Sequence, residues 1–207
     1  MATAVKICGI TRVEDALAAA HAGAHAIGLI FYAGSPRQVP HDVARRVVEA
    51  LPPFVTPVAL FVDARSIDVE RVIGEVKPQV LQFHGDENPE FCERFGLPYI
   101  KAAKVRRGVD LIQYARRYTT AKGLLLDTFV DGSHGGTGAT FDWALIPDQF
   151  PLPLILAGGL HPDNVADAIR RVRPWAVDVS SGVEAAKGIK DAAKIAAFIR
   201  GVRNADV

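Results

Sequence analysis

Eight short apolar runs, each followed by an amphipathic or polar stretch, divide this chain of 207 residues. Runs of roughly four to seven residues have strand length, and strands separated by helices cannot join as hairpins. They pair in parallel, through right-handed crossovers. The predicted strands are Ala4 to Ile10, Ala26 to Phe31, Pro57 to Val62, Val80 to His84, Tyr99 to Ala103, Gly123 to Asp127, Leu154 to Ala157 and Ala176 to Ser180. Eight such units are the number at which a parallel sheet closes on itself. The expected fold class is therefore α/β, a single-domain parallel (β/α)8 TIM barrel spanning residues 1–207. An open doubly wound sheet is the alternative.

The segments between strands carry helix signals. Thr11 and Glu14 have the spacing of a capping box, and Val13, Ala16, Leu17 and Ala20 recur on one helical face before Gly23 stops the helix. Helices are also expected from His41 to Leu51, from Pro89 to Phe95, from Asp110 to Tyr118 and from Asp163 to Val172. Two more follow from the apolar sets Val69, Val72, Ile73, Val76 and Ile195, Phe198, Ile199, Val202. After the sixth strand a long glycine-rich loop runs to Thr140, and a loop of that length inside a compact domain reads as a lid or binding segment.

Charge excludes several function classes. With 24 basic and 23 acidic residues, nothing favours nucleic acid, an anionic membrane or a polyacidic partner. No apolar run approaches the roughly 20 residues of a membrane-spanning helix. The two cysteines are distant in sequence and the start is polar, which suits a reducing cytoplasm and no disulfide. The six histidines show no metal-ligand spacing, and the glycines match neither dinucleotide nor Walker signatures. No metal and no cofactor is expected. Oligomeric state is not legible, because the apolar helix faces are already used against the strands.

Strand parity then assigns directions, since alternate residues face opposite sides of a sheet. With Val5, Ile7, Leu81, Phe83, Leu124, Leu126, Val177 and Val179 under the helices, the residues Lys6, Cys8, Gln82, His84, Asp127, Asp178 and Ser180 turn into the barrel. Closure makes the eighth strand a neighbour of the first, so Lys6 and Asp178 are predicted to form a buried ion pair. Ligands bind at the carboxyl ends of parallel strands, where Cys8 and Asp127 stand as a thiol and a carboxylate. Each also has a structural reading, Cys8 as a small buried hydrophobe and Asp127 as a cap for the next segment. Cys92, on a helix without an adjacent base, has only that kind of reading.

Several motifs occur in order along nearly the whole chain. They are Lys6-Ile7-Cys8-Gly9-Ile10-Thr11, Ser35-Pro36-Arg37, Leu81-Gln82-Phe83-His84-Gly85, Leu125-Leu126-Asp127-Thr128, Gly135-Gly136-Thr137-Gly138, Leu156-Ala157-Gly158-Gly159-Leu160 and Asp178-Val179-Ser180-Ser181-Gly182-Val183-Glu184. In this the chain resembles the phosphoribosylanthranilate isomerase family of tryptophan biosynthesis. Phe83 departs from the leucine common there, at a position expected to face the helices.

The resemblance implies a cofactor-free Amadori rearrangement of N-(5-phosphoribosyl)anthranilate, with Asp127 as general acid at the furanose oxygen and Cys8 as general base at C2. It also implies that Arg37 holds the anthranilate carboxylate in a forked grip and that His84 lines the site, either on the substrate or behind it. The phosphate would meet backbone amides at Gly158, Gly159, Ser181 and Gly182, with Gly136 closing over the substrate. Free thiol and carboxyl groups favour the opposite protonation states. At neutrality thiolate and protonated carboxyl would coexist in only on the order of 1 in 10,000 to 1 in 100,000 molecules. The site must therefore shift one or both groups. The competing readings are a phosphosugar barrel isomerase of histidine biosynthesis, which would rely on paired carboxylates, and a catalytically silent sensor of a phosphorylated ligand.

Overall fold

The computed structural model describes residues 2–106, 108–128, 142–147 and 149–205. Eight parallel strands form a closed barrel in sequential order: β1 (Ala4–Cys8), β2 (Ala26–Ile30), β3 (Thr56–Phe61), β4 (Val80–Phe83), β5 (Tyr99–Val105), β6 (Gly123–Thr128), β7 (Leu154–Leu156) and β8 (Ala176–Val179). Closure is made by β8 on β1, with Lys6 opposite Asp178 and Ile7 opposite Val179. The open-sheet alternative is thereby excluded.

Helices α1 (Val13–Ala22), α2 (His41–Ala50), α3 (Ser66–Val76), α4 (Pro89–Glu93), α5 (Leu111–Arg117), α6 (Val165–Val172) and α7 (Ala192–Ala205) surround the strands. Their apolar stripes explain the layer: Ala16 and Ala19, Val69 and Val72, and Ile195, Phe198 and Ile199 are buried against Ile7, Leu81, Leu124 and Val177. Phe83 faces this layer as expected, with ring contacts to Phe91 and Phe95 on and just beyond α4.

Two expectations need correction, and one element is additional. The Thr11 and Glu14 capping box is not made: Arg12 caps α1 without a side-chain bond, and the Thr11 hydroxyl donates instead to the Gly188 carbonyl. The hydroxyl is oriented by this tertiary acceptor, reached by closure, and not by the backbone N–H groups of the first helical turn. In the sixth unit, the described residues hold a 3-10 turn, Trp143–Leu145, packed on α6, and no α-helix. The additional element is an antiparallel hairpin after β8, formed by β9 (Glu184–Ala186) and β10 (Ile189–Lys190).

Inside the barrel, apolar residues form two separate clusters. One joins Ala102, Leu125, Ile155, Ala157 and Ala176, and the other joins Cys8, Ile30, Leu60 and Val62 near the carboxyl ends of the strands. Between the apolar groups sits the Lys6–Asp178 pair, 2.9 Å from Nζ to Oδ1 and almost wholly buried. The predicted pairing is therefore present. No helix among the described residues is long and apolar enough to cross a membrane.

Candidate active site

At the carboxyl ends of the strands the barrel opens into a cavity of about 670 Å³, part of it continuous with solvent. Cys8, Arg37, His84, Asp127, Gly158, Gly159 and Ser181 all border it, so residues from six strand ends and their loops converge. The wall beside Cys8 is apolar, built from Ile30, Leu60 and Val62. Gly182 does not line the cavity. It packs behind the wall, where a Cβ would collide with the Leu160 carbonyl. Gly136 lies outside the described residues.

Cys8 closes β1 and is 5% exposed. Opposite it in register is Gly28, where a Cβ would lie 2.7 Å from the Cys8 sulfur and 3.1 Å from Lys6 Nζ. Only glycine leaves room for both groups. Burial pushes the Cys8 thiol above its ordinary value, the reverse of the shift the acid–base pairing calls for, and the nearby Lys6 ammonium opposes that shift without cancelling it. For Lys6 itself burial works against the charge, but Asp178 outweighs it and holds the ammonium above the usual lysine range.

Asp127 stands at the end of β6 with both oxygens engaged. Oδ1 accepts the Thr128 N–H at 2.8 Å, and Oδ2 lies 3.1 Å from His84 Nε2. His84 Nδ1 is in turn 3.0 Å from Gln82 Nε2, two residues back along β4. With the amide N–H donating to Nδ1, the imidazole proton sits on Nε2 and is donated to Asp127. His84 therefore borders the cavity and also holds the Asp127 carboxyl group. Gln82 Oε1 is left buried without a partner among the described residues.

Arg37 is not a solvated loop charge. Its Nε and Nη2 donate to the two oxygens of Glu184 at 2.7 and 2.8 Å, which uses one edge of the guanidinium. The fork expected to grip a ligand carboxylate is thus committed, through Nε and Nη2, to Glu184. Glu184 also accepts Lys190 Nζ at 2.9 Å, and Lys190 reaches the Ser180 carbonyl at 3.1 Å. Sequence reasoning missed both residues as part of the site. Glu184 ends the eighth-strand motif, but the hairpin that turns it back carries no periodic signal.

The loop after β7 is shaped by two consecutive left-handed glycines, Gly158 at φ +80° and Gly159 at φ +64°. At Gly158 a Cβ would also meet Thr128 and lie 2.9 Å from Asp127 Oδ1. Asn164 pins the loop by donating to the Gly159 carbonyl at 3.0 Å. The N–H groups of both glycines are free of carbonyl partners among the described residues, which suits them to an anion. No cluster of three or more metal-ligating side chains occurs among the described residues.

A thiol, an imidazole-held carboxyl and loop amides without carbonyl partners among the described residues, all around one barrel mouth, suit the class of barrel isomerases that move protons. Residues 5–201 match the family model for N-(5'-phosphoribosyl)anthranilate (PRA) isomerase. The chain is 61% identical over 202 residues to the N-(5'-phosphoribosyl)anthranilate isomerase of Nitrosospira multiformis, covering 98% of this chain and 97% of that one. It is 60% identical to that of Thiobacillus denitrificans, over 96% and 97% of the two chains. The crystal structure of phosphoribosyl anthranilate isomerase from Thermotoga maritima superposes with a TM-score of 0.90 at 41% identity, covering 98% and 99%. A structure of such an isomerase in complex with reduced 1-(o-carboxyphenylamino)-1-deoxyribulose 5-phosphate aligns at a TM-score of 0.86 and 40% identity, over 98% and 99% of the chains. The chain belongs to the N-(5'-phosphoribosyl)anthranilate isomerase family. It is an isomerase of tryptophan biosynthesis, and the match sets aside the histidine-pathway barrel and the silent sensor.

Proposed function

We propose that Cys8 is the general base and Asp127 the general acid in the Amadori rearrangement of N-(5'-phosphoribosyl)anthranilate to 1-(2-carboxyphenylamino)-1-deoxyribulose 5-phosphate. A proton from Asp127 to the furanose oxygen lets the C1–O bond break as the anilino nitrogen forms an iminium. That cation acidifies C2–H, and the Cys8 thiolate takes the proton. The resulting enolamine ketonises by gaining a proton at C1 and losing one from its C2 hydroxyl. Every step is a proton transfer, so the chemistry asks for no cofactor.

The observation that carries this reading is the shared cavity bordered by Cys8 from β1 and Asp127 from β6. His84 and the Thr128 amide fix the carboxyl group, and the remaining Arg37 edge suits the anthranilate carboxylate. Gly158, Gly159, Ser181, Gly182 and Gly136 are assigned to the phosphate, Gly182 by shaping the turn that carries Ser181. The two free thiols suit a cytoplasmic setting.

Fluorescence-monitored turnover tests the assignment. Cys8→Ser and Asp127→Asn should each lower kcat by about 100-fold to 10,000-fold, the usual range for removing a positioned acid or base, while melting cooperatively like the parent. Wild-type turnover in either folded variant removes that role.

A further inference from the structure

Lys6 has no part in the proton transfers above, yet it is a buried cation on the same strand and the same face as Cys8. Its Nζ and the Cys8 sulfur crowd the one glycine opposite them, each about 3 Å from the Cβ position of Gly28. On the far side Asp178 Oδ1 holds the ammonium at 2.9 Å. A structural ion pair needs no third group within that space, and a buried thiol needs no cation. Their coincidence is the feature to explain.

We propose that Lys6 is a positioning residue for Cys8, its ammonium shared between Asp178 and the sulfur so that the pair governs how readily the thiol ionises. The two partners act in opposite directions. The Lys6 charge favours thiolate through the low-dielectric interior, whereas the Asp178 charge disfavours thiolate directly and draws the ammonium away. The arrangement balances base strength against the stability of a buried charge.

Other charged and titratable groups face Cys8 from each neighbouring element. Lys190 on β10 and Arg37 after β2 are cations that share the single carboxylate of Glu184 on β9, and Lys190 adds to Lys6 in favouring thiolate. Tyr32 packs against the apolar cluster that includes Cys8, and His84 and Asp127 stand across the cavity on β4 and β6. The effects of burial and of Lys6 on the thiol agree in direction with this picture.

The inference rests on the reading of Cys8 as base only for its consequence in turnover, and its test does not need turnover. Thiolate formation is followed against pH by ultraviolet absorbance and by the iodoacetamide alkylation rate, with Cys8→Ser as the blank. The Cys8→Ser blank removes the Cys92 signal, and burial pushes that thiol up to about 12. Lys6→Met should raise the titration midpoint by about one pH unit or more, and the near-isosteric Asp178→Asn should lower it by a similar amount.

An unmoved or lowered midpoint in folded Lys6→Met, or an unmoved or raised one in Asp178→Asn, overturns the proposal. If Lys6→Met does not fold, Asp178→Asn alone decides. The pH profile of kcat/KM separates the two readings. A midpoint that shifts without a matching shift of the rate profile counts against Cys8 as base and leaves the Lys6 proposal standing.

Discussion

Arg37 commits its Nε and one Nη to Glu184, so its use to a bound carboxylate depends on the edge that remains. Lysine keeps the charge and loses both forks. Arg37→Lys should therefore raise KM on the order of tenfold to a hundredfold, the worth of hydrogen bonds to a charged group, with a much smaller change in kcat. Steady-state kinetics over a wide substrate range checks the split, and equal losses in kcat would place Arg37 in the transition state instead. At this scale legibility was uneven. Lys6 and Asp178 were readable as a pair because both follow from strand parity and closure. Arg37 and Glu184 were not, because they are 147 residues apart on a loop and a hairpin that obey no periodicity.

The connection from β4 to α4 shows how an element end is fixed. Lys101 lies on β5, wholly buried among the outward-facing residues, where parity calls for an apolar side chain. Its Nζ donates to the Gly85 carbonyl at 2.6 Å and to Glu87 Oε2 at 3.1 Å, directly beyond His84. Glu87 in turn accepts the Asp63 N–H at 2.9 Å and the Gly85 N–H at 3.0 Å. Lys101→Met would leave the Glu87 charge buried and uncompensated. Urea denaturation should show a loss of about 3–5 kcal/mol, partly restored by adding Glu87→Gln, because the two residues are coupled. Independent losses in the double variant would show that the pair does not act as a unit. Nothing in the alternation marks Lys101, since a pattern of apolar and polar positions cannot tell a satisfied buried lysine from a misplaced one.

Across the whole molecule, the ion pairs around the cavity tie the β8 excursion to the first two strands. Burial would raise the Glu184 carboxyl, but its bonds from Arg37 and Lys190 outweigh burial and hold it below the ordinary carboxylate range. A group depressed in the folded state contributes fully above its unfolded value of about 4.3, and that contribution is lost as pH falls through the lower native value. Urea midpoints measured from neutrality down to about pH 3 should fall more steeply for the parent than for Glu184→Gln, and parallel curves would contradict the linkage. Lys6 sets the reverse dependence, its contribution fading only as pH rises through its raised native value. The number of strands, their parallel closure and the inward aim of Cys8, His84, Asp127 and Asp178 were determined by sequence alone, because strand length and alternation are local properties of the chain. Which polar groups meet was decided by tertiary structure. His84 on Asp127, Arg37 on Glu184, Lys101 on Glu87 and Thr11 on Gly188 all depend on strand neighbours and loop return, which bring together residues whose separation no periodicity encodes.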